Sequence, residues 1–321
     1  MENILEIRNL RVTFHTDNGV VRALNGVDLK LRDGETLGLV GETGAGKTTL
    51  AKSVMRLISP PQGRIDAGEI LFGEVDILKA SQADMLSIRG NKISMIFQDP
   101  MSALNPVITV GEQIAEVIRE HESLPSKEAW DKALKMLSTV GITADRAGDY
   151  PHQFSGGMKQ RVVIAIALAC NPTVLIADEP TTALDVTIQA QVLEMMAELK
   201  KKTDTATIII THDLGIVAQM CESVVVLYAG EVVESGPVRD VFKKTAHPYT
   251  IGLLGAIPKI HLDEHRLHPI HGLMPDPMAP PEGCSFHERC DFADESCALN
   301  HPELRIIGDS HSVRCPKAVS R

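Results

Sequence analysis

Residues 41–48 form a glycine-rich segment whose residue types and spacing suit phosphate binding. The segment reads GETGAGKT, which fits the pattern G-x-x-x-x-G-K-[ST], and it lies between an apolar run and a predicted helix at 48–58. Glycines allow successive backbone N–H groups to surround phosphate oxygens, and a helix N-terminus adds positive potential. Lys47 can reach the outer phosphates, and the Thr48 hydroxyl can ligate Mg²⁺. The alternative is a simple glycine turn between the strand and the helix.

Two predicted strands end in side chains that fit phosphate-transfer chemistry. The run TVLIADEP ends in Asp178 and Glu179, and the run TATIIITHD leads into His212. A carboxylate at a strand end can hold Mg²⁺, its neighbour can orient an attacking water, and an imidazole can donate to a γ-phosphate. Taken singly, such acids are more often solvated turn residues and such a histidine is more often structural. Their combination with residues 41–48 favours the functional interpretation.

The elements that must position these residues follow an α/β pattern. From Ile4 to about Ser235, β-branched runs alternate with helical patterns, which predicts a mostly parallel sheet buried on both faces. Apolar residues at three- and four-residue spacing predict helices at 111–123 and 126–141, inside a helical subdomain at about 99–170. The clearest predicted strands are 36–41, 173–178, 205–211 and 223–228.

Composition changes after residue 236. The stretch 269–283, PIHGLMPDPMAPPEG, holds five prolines and no periodicity, which predicts an extended linker. We therefore expect a nucleotide-binding domain at 1–236 and a C-terminal extension at 237–321, with a cysteine-bearing tail at 284–315.

Four cysteines of this tail raise the question of metal binding. Cys284, Cys290, Cys297 and Cys315 are separated by five, six and seventeen residues. In a reducing compartment such a cluster is more often metal-binding than disulfide-bonded. Zinc sites normally carry C-x₂₋₄-C pairs and ferredoxins have another spacing, and the tail has neither. The spacing therefore leaves an iron–sulfur cluster, Zn²⁺ and unligated thiols open.

Overall composition excludes several classes of protein. The 321 residues are 44% hydrophobic and 23% charged, which supports a substantial core and excludes disorder of the whole chain. Lys and Arg total 32 against 42 Asp and Glu, and the formal net charge of −10 opposes binding to a nucleic-acid backbone. The longest apolar run, 162–170, is half of a membrane span, and the N-terminal residues do not resemble a secretion signal. We expect neither a nucleic-acid coat protein nor a secreted or membrane-spanning protein.

A further motif completes a family pattern. Residues 154–161 read FSGGMKQR, which resembles the LSGGQ signature of nucleotide-binding subunits of ATP-binding-cassette (ABC) transporters, with Phe and Met replacing the first and last residues. Gln98 in MIFQDP is similar to the family's Q-loop glutamine, and the ALD at 183–185 is similar to its D-loop. Phe14 lies where the family stacks an aromatic ring on adenine. The resemblance covers about residues 4–236.

This resemblance implies a P-loop NTPase fold, with a RecA-like core, an antiparallel β subdomain and an inserted helical subdomain. The implied ATP-binding residues are Phe14, Gly41, Glu42, Thr43, Gly44, Ala45, Gly46, Lys47, Thr48, Thr49, Gln98 and Asp178. Mg²⁺ is implied at Thr48, Gln98 and Asp178, and catalysis at Glu179, His212 and Gln98. The implied signature residues, which act on nucleotide bound to the opposite subunit, are Phe154, Ser155, Gly156, Gly157 and Met158. The implied D-loop residues are Ala183, Leu184 and Asp185.

A finer match resembles the dipeptide and oligopeptide permease branch. It rests on the phrases FQDPMSALNPVITVGEQI, YPHQFSGGMKQRVVIAIALACNP and HPYTIGLL and on the cysteine tail. The branch implies ATP-driven peptide import at the cytoplasmic face of the cell membrane, with two membrane permease subunits, a sister ATPase subunit, an extracytoplasmic peptide-binding protein and no nucleic acid. It also implies a [4Fe–4S] cluster at the four tail cysteines, with Zn²⁺ as the alternative.

Other functions remain open at this point. Import of nickel or another small solute is the nearest alternative to peptide import. A soluble ABC ATPase of DNA repair or translation would be expected to show two tandem cassettes or a long coiled-coil insertion, and the sequence shows neither. A tail that senses iron or redox state is a third alternative.

Overall fold

The structure is a computed structural model that describes residues 2–99, 103–182, 184–256 and 270–318. The chain divides into two compact units. The first unit comprises Met1–Ile4, Leu31–Glu35 and Lys79–Ile210, and the second comprises Leu5–Lys30, Thr36–Leu78 and Thr211–Arg321. The phosphate-binding motif and the C-terminal extension therefore belong to one unit, and the signature motif belongs to the other.

Strands and helices alternate as the sequence pattern predicts. The strands are β1 (Asn3–Thr16), β2 (Gly19–Arg32), β3 (Thr36–Val40), β4 (Gly63–Phe72), β5 (Val75–Asp76), β6 (Ile93–Ile96), β7 (Val174–Asp178), β8 (Ala206–Ile210), β9 (Ser223–Tyr228), β10 (Glu231–Pro237), β11 (Arg305–Ile306) and β12 (Ser312–Val313). The α-helices are α1 (Lys47–Val54), α2 (Gln82–Ile88), α3 (Val110–Glu122), α4 (Ser126–Thr139), α5 (Gly156–Leu168), α6 (Val186–Thr203), α7 (Leu214–Met220), α8 (Val238–Lys243), α9 (Pro248–Gly255) and α10 (Glu295–Leu299). The four clearest predicted strands correspond to β3, β7, β8 and β9.

The first unit contains a parallel sheet with helices. Strands β6, β7 and β8 run parallel, with Met95 opposite Ile176 and Asp178 opposite Ile210. Every residue of these strands is buried, which confirms the prediction that continuous apolar runs are covered on both faces. Helices α3 and α4 confirm the two helices predicted from spacing. The sheet places the carboxyl end of β7 where Asp178 and Glu179 follow.

The second unit contains two sheets. Strands β1, β2, β4 and β5 form an antiparallel sheet in the order β2-β1-β4-β5, as the family resemblance implies. In the other sheet β3 pairs with β9 in parallel, β9 pairs with β10 in antiparallel, and β10 pairs with β12 of the extension. The extension therefore continues the sheet that supports the phosphate-binding segment. Residues 270–283, part of the predicted linker, contain neither helix nor strand.

Helix α1 is shorter than predicted. It ends at Val54 rather than at Ile58, and Arg56 adopts a left-handed backbone with φ of 50°. The sequence Ser59-Pro60-Pro61 follows, and a proline disfavours helical geometry in the residue before it and donates no backbone hydrogen bond. The helix accordingly ends before that segment.

Two buried glutamates attach the extension to β10. Glu234 is fully buried, and its carboxylate accepts hydrogen bonds from the backbone N–H of Ala246 and of His247 and contacts His311 Nε2 at 2.8 Å. Glu231 accepts a hydrogen bond from the Ser285 hydroxyl at 2.9 Å. Among the helices that the structure describes, none is both long and apolar enough to cross a membrane.

Candidate functional site

The phosphate-binding segment connects β3 to α1 and is shaped by its glycines. Gly46, the residue before α1, has φ of 103°, and a Cβ there would lie 2.7 Å from the carbonyl oxygen of Ala23, so only glycine fits. The Lys47 ammonium is buried and donates to the carbonyl oxygens of Gly41 at 2.7 Å and Glu42 at 3.0 Å. The lysine is thus held across the loop, at the N-terminus of α1.

The other predicted residues of this unit differ in exposure. Gly41 and Ala45 are buried, Thr48 and Thr49 are half-buried, and Thr43 and Gly44 are exposed. Phe14, in β1, is half-buried, and its ring lies against Gly63, where an added Cβ would be 3.0 Å from the ring. His212 is exposed, one residue before the N-cap of α7.

Residues of the C-terminal extension contact the phosphate-binding segment directly. The backbone N–H of Glu42 donates to the Tyr249 hydroxyl at 2.9 Å. The Arg289 guanidinium binds the Glu42 carboxylate with two hydrogen bonds, from Nη1 to Oε2 at 2.7 Å and from Nη2 to Oε1 at 3.0 Å. This fork-to-fork geometry is the strongest common form of ion pair. The loop at 41–48 is therefore supported by residues more than 200 positions later in the chain.

The surroundings of Arg289 fix its side chain. Its Nε donates to the His271 carbonyl oxygen at 2.9 Å, and its Nη1 also donates to the Tyr228 hydroxyl at 3.2 Å. The guanidinium lies 5.7 Å from the centre of the Tyr228 ring and 5.9 Å from that of Phe286, and only 5% of the side chain is exposed. The Glu42 carboxylate is the largest cause of the raised pKa of Arg289, so the guanidinium stays charged.

In the first unit, Glu179 and Gln98 lie together. Glu179 Oε2 accepts hydrogen bonds from Gln98 Nε2 at 3.0 Å and from the Thr182 hydroxyl at 2.8 Å. The Glu179 backbone adopts φ of 48°, a left-handed conformation that costs energy for a residue other than glycine. Its N–H donates to Ile210 at the end of β8. The neighbouring Asp178 is almost fully buried at the end of β7. Two predicted catalytic residues are thus in contact, with Thr182 as an unpredicted third.

The signature motif begins helix α5. Ser155 is the N-cap residue, and its hydroxyl accepts a hydrogen bond from the Met158 N–H at 3.4 Å. The Phe154 side chain is buried within its own chain, whereas Ser155 and Gly156 are exposed. The exposed residues are those that present a hydroxyl and backbone N–H groups at a helix N-terminus, where an anion is favoured.

One arginine contacts both residues that depart from the family's usual signature. The Arg146 guanidinium lies 4.3 Å from the centre of the Phe154 ring and 3.5 Å from Met158 Sδ. It also pairs with Asp149 at 2.8 Å and donates to the Gln153 carbonyl oxygen at 3.0 Å. Phe154 and Met158 therefore share a packing partner in this chain.

The D-loop lies against the signature helix of the same chain. A Cβ on Gly157 would be 2.4 Å from Ile188 Cγ2 in α6, so this contact requires glycine, and Leu184 lies near Gly156. Asp185 is the N-cap of α6 and accepts a hydrogen bond from the Ile188 N–H at 3.0 Å. Ala183, predicted as part of the D-loop, lies outside the described residues.

The four tail cysteines line one pocket. Its volume is about 330 Å³, and it is bordered by Cys284, Cys290, Cys297 and Cys315. Burial raises the pKa of Cys284 to about 11 and also raises those of Cys290 and Cys315. Within the described residues, however, no three or more His, Cys, Asp or Glu side chains are arranged to hold a metal ion. The described side chains thus give no support to a site for a single ion, either Zn²⁺ or iron.

The tail histidines have other contacts. His301 Nε2 lies 2.7 Å from Glu231, and His311 is paired with the buried Glu234. His287 lines the cysteine pocket, and its Nδ1 lies 2.8 Å from the Cys284 carbonyl oxygen. The first two histidines hold the extension to β10 rather than completing a cysteine site.

Comparison with known proteins first defines the class. The sequence profile of the ABC transporter family matches residues 24–182, and that of the oligopeptide/dipeptide transporter C-terminal region matches residues 233–297. Among solved structures, the chain is similar to a dimeric post-hydrolysis state of the ATP-binding cassette MJ0796 bound to ADP and Pi. The TM-score is 0.65 and the identity 27%, with coverage of 73% of this chain and 99% of that one. The fold is therefore that of an ATP-binding cassette.

Relatives of known designation define the branch. The dipeptide transport ATP-binding protein DppD of Bacillus subtilis is 50% identical over 98% of this chain and 95% of the relative. The oligopeptide transport ATP-binding protein OppD of the same organism is 47% identical over 97% and 88%. The chain belongs to the ABC transporter ATPases, in the branch that contains the dipeptide and oligopeptide transport ATP-binding proteins.

Sequence reasoning missed three residues that contact the predicted site residues of their own unit. Thr182 lies three residues after Glu179, and this short spacing is the local signal that could have found it. Arg146 contacts residues 3 to 12 positions later in the chain, and no sequence pattern marked it. Arg289 has no local signal, because it reaches Glu42 through the tertiary fold. The nearest hint for Arg289 was its position next to Cys290 in the cysteine tail.

Proposed function

We propose that this chain is the ATP-hydrolysing subunit of an importer of dipeptides or oligopeptides. The observation that carries the proposal is the pairing of a nucleotide cassette with the C-terminal region of the peptide-transporter branch in one chain. Relatives with this architecture are designated peptide transport ATP-binding proteins. The nucleotide site supplies the energy for import.

The phosphate-binding loop holds ATP in this proposal. Backbone N–H groups of residues 41–48 surround the phosphates, Lys47 donates to the β- and γ-phosphates, and Phe14 stacks on adenine. Thr48, Gln98 and Asp178 offer the hydroxyl and carbonyl or carboxylate oxygens that Mg²⁺ prefers, and the buried Asp178 brings a negative charge suited to a cation. When bound, Mg²⁺ neutralises charge on the transferred phosphoryl group.

Glu179 acts as the catalytic base. Its carboxylate, held by Gln98 and Thr182, orients a water molecule for attack on the γ-phosphorus, and His212 donates to the γ-phosphate. A fixed carboxylate supports this role because orientation of the base contributes to the rate. Replacing Glu179 with Gln should preserve ATP binding and slow turnover strongly in the assembled complex. Wild-type turnover of that variant would contradict the role of Glu179.

The signature and the D-loop act in a pair of cassettes. We infer that Ser155, Gly156 and Gly157 contact nucleotide held by a sister ATPase subunit, while Leu184 and Asp185 lie at the junction. Exposure of Ser155 and Gly156 at a helix N-terminus supports this inference. The complete transporter then contains two membrane permease subunits, with an extracytoplasmic peptide-binding protein delivering substrate. The chain binds peripherally at the cytoplasmic face of the membrane.

Reconstitution tests the substrate class. The full chain is purified with its permeases and sister ATPase, placed in proteoliposomes, and assayed for ATP hydrolysis with the binding protein and either a peptide mixture or Ni²⁺. Stimulation by peptides, lost in the Glu179→Gln variant, is the expected result. Stimulation by Ni²⁺ alone would assign the chain to a metal importer, and co-purification with nucleic acid instead of membranes would assign it to a soluble ABC ATPase.

We further propose that the tail holds a [4Fe–4S] cluster. The four thiols border one pocket, and an assembly of several iron and sulfide ions spans distances that a single ion cannot. Iron, zinc and sulfide are measured in the chain purified without oxygen, beside a Cys284→Ser/Cys290→Ser variant. Near four iron and four sulfide per chain, absent from the variant, is the expected result. Stoichiometric zinc without sulfide, or no metal, would refute the cluster.

A further inference from the structure

An acidic residue stands inside the segment proposed to bind ATP. Glu42 is the second residue of the segment 41–48, and its side chain is about one-third exposed. A carboxylate near a polyphosphate opposes binding unless its charge is compensated. The compensation comes from Arg289 of the C-terminal extension, which binds both carboxylate oxygens.

The geometry of the pair is suited to this task. Arginine stays charged, and its planar fork matches a carboxylate in two parallel hydrogen bonds, which lysine cannot do. Because the Arg289 side chain is 5% exposed, water and salt screen the pair less than they screen a surface pair. The Tyr228 hydroxyl and the His271 carbonyl oxygen accept two of the remaining three N–H groups, which helps to fix the orientation of the guanidinium.

A second contact from the extension acts on the backbone of the same residue. The Glu42 N–H is bound by the Tyr249 hydroxyl, whose ring is fully buried against Tyr228 at 4.6 Å and Phe286 at 5.5 Å. Glu42 is therefore fixed at both its backbone and its carboxylate, and its side chain is directed toward the extension. The neighbouring loop amides keep their positions because this residue cannot rotate freely.

We propose that Arg289 is a positioning residue for ATP binding, which neutralises Glu42 and holds it away from the phosphates. The proposal rests on the proposed ATP site at residues 41–48. It predicts that the effect of losing Arg289 depends on the charge of Glu42. A structural role of Arg289 that does not act through Glu42 predicts no such dependence.

A double-mutant cycle tests the proposal. Dissociation constants for Mg-ATP are measured by calorimetry on the full chain for the wild type, Arg289→Met, Glu42→Gln and the double variant. We expect Arg289→Met to weaken ATP binding about tenfold in the wild-type background and less than about threefold in the Glu42→Gln background. Arg289→Lys, which keeps the charge and loses the fork, should lie between wild type and Arg289→Met. Equal losses in both backgrounds would overturn the proposal.

Two further variants distinguish a failure of the proposed ATP site from a failure of the proposed role of Arg289. Arg314→Met removes another arginine of the tail, whose guanidinium donates to the carbonyl oxygens of Val232 and Pro302, and it should leave ATP affinity unchanged. If it weakens binding as much as Arg289→Met does, general loosening of the tail explains the effect. Lys47→Ala tests the site itself. Normal ATP binding by Lys47→Ala would refute the proposed ATP site. If Lys47→Ala loses ATP binding and Arg289→Met binds ATP normally, only the role of Arg289 is refuted.

Discussion

Replacing Arg146 with methionine should loosen the signature segment without affecting the chain's own phosphate-binding loop. The side chain makes an ion pair with Asp149, a hydrogen bond to the Gln153 carbonyl oxygen and a contact over the Phe154 ring. The ion pair contributes about 0.5 kcal/mol, the hydrogen bond about 1.5 kcal/mol and the contact with the ring about 1 kcal/mol. The value for the ion pair is low because both partners are about 30% exposed. Methionine keeps some apolar packing, so we expect a net loss of about 2 kcal/mol of local stability.

The kinetic consequence follows from where the signature acts. If Ser155 and Gly156 contact nucleotide on the sister subunit, disorder at the start of α5 raises the barrier to hydrolysis in the assembled pair and leaves nucleotide affinity of the isolated chain unchanged. A loss of about 2 kcal/mol in the transition state corresponds to about a 30-fold decrease in kcat. The assays are steady-state ATP hydrolysis by the complex and calorimetric ATP binding by the isolated chain.

A matched control removes an arginine elsewhere in the same unit. Arg119 pairs with Glu112 on α3, and Arg119→Met should reduce kcat little. The reasoning would be refuted if Arg146→Met left kcat unchanged, or if it weakened ATP binding by the isolated chain as strongly as it slowed hydrolysis. An equal loss of kcat in Arg119→Met would point to general destabilisation of the helical region.

Three further predictions concern individual contacts. Thr182→Val removes the hydroxyl bound to Glu179, so kcat should fall about three- to tenfold with ATP affinity unchanged. An unchanged kcat would show that Gln98 alone orients the base. Gly157→Ala should lower the free energy of unfolding by about 1–3 kcal/mol in urea titrations, because the added Cβ would collide with Ile188. Adding Ile188→Ala should restore part of this stability, and no recovery would show that the strain lies elsewhere. Glu234→Gln leaves buried donors of the extension poorly matched, so limited proteolysis should cleave the extension faster than in the wild type, and equal rates would contradict the anchoring role.

The sequence was most informative where local pattern determines structure. Strands such as β7 and β8 are continuous β-branched runs that can be stable only when buried on both faces, so their position and the polar residues at their ends could be predicted together. The glycine motif predicted the start of α1 at residue 48, one residue from the observed Lys47, whereas the observed end at Val54 comes four residues before the predicted Ile58. Predicted helix boundaries are wrong by a few residues where no strong sequence signal marks the residue at which the helix ends.

Long-range electrostatic contacts could not be predicted in the same way. An arginine in a loop-rich tail has the same local signature whether it faces water or a distant carboxylate, and only the tertiary fold distinguishes the two. The contact of Gln98 with Glu179 could be predicted only in part. The motifs indicated a role for each residue, but they did not predict the 3.0 Å hydrogen bond from Gln98 Nε2 to Glu179 Oε2. The cysteines show the converse, since their spacing raised the question of a metal site, and the described side chains form no group that could hold a single metal ion.

The contact between Glu42 and Arg289 also sets an order in which the chain can mature. The two residues are 247 positions apart, so a ribosome that adds about 5–20 residues per second exposes the carboxylate roughly 10–50 s before its arginine. During that interval the first part of the protein carries an uncompensated acid at its nucleotide loop. If ATP affinity depends on this pair as proposed above, a nascent chain gains its full affinity only after residue 289 has left the ribosome and paired with Glu42.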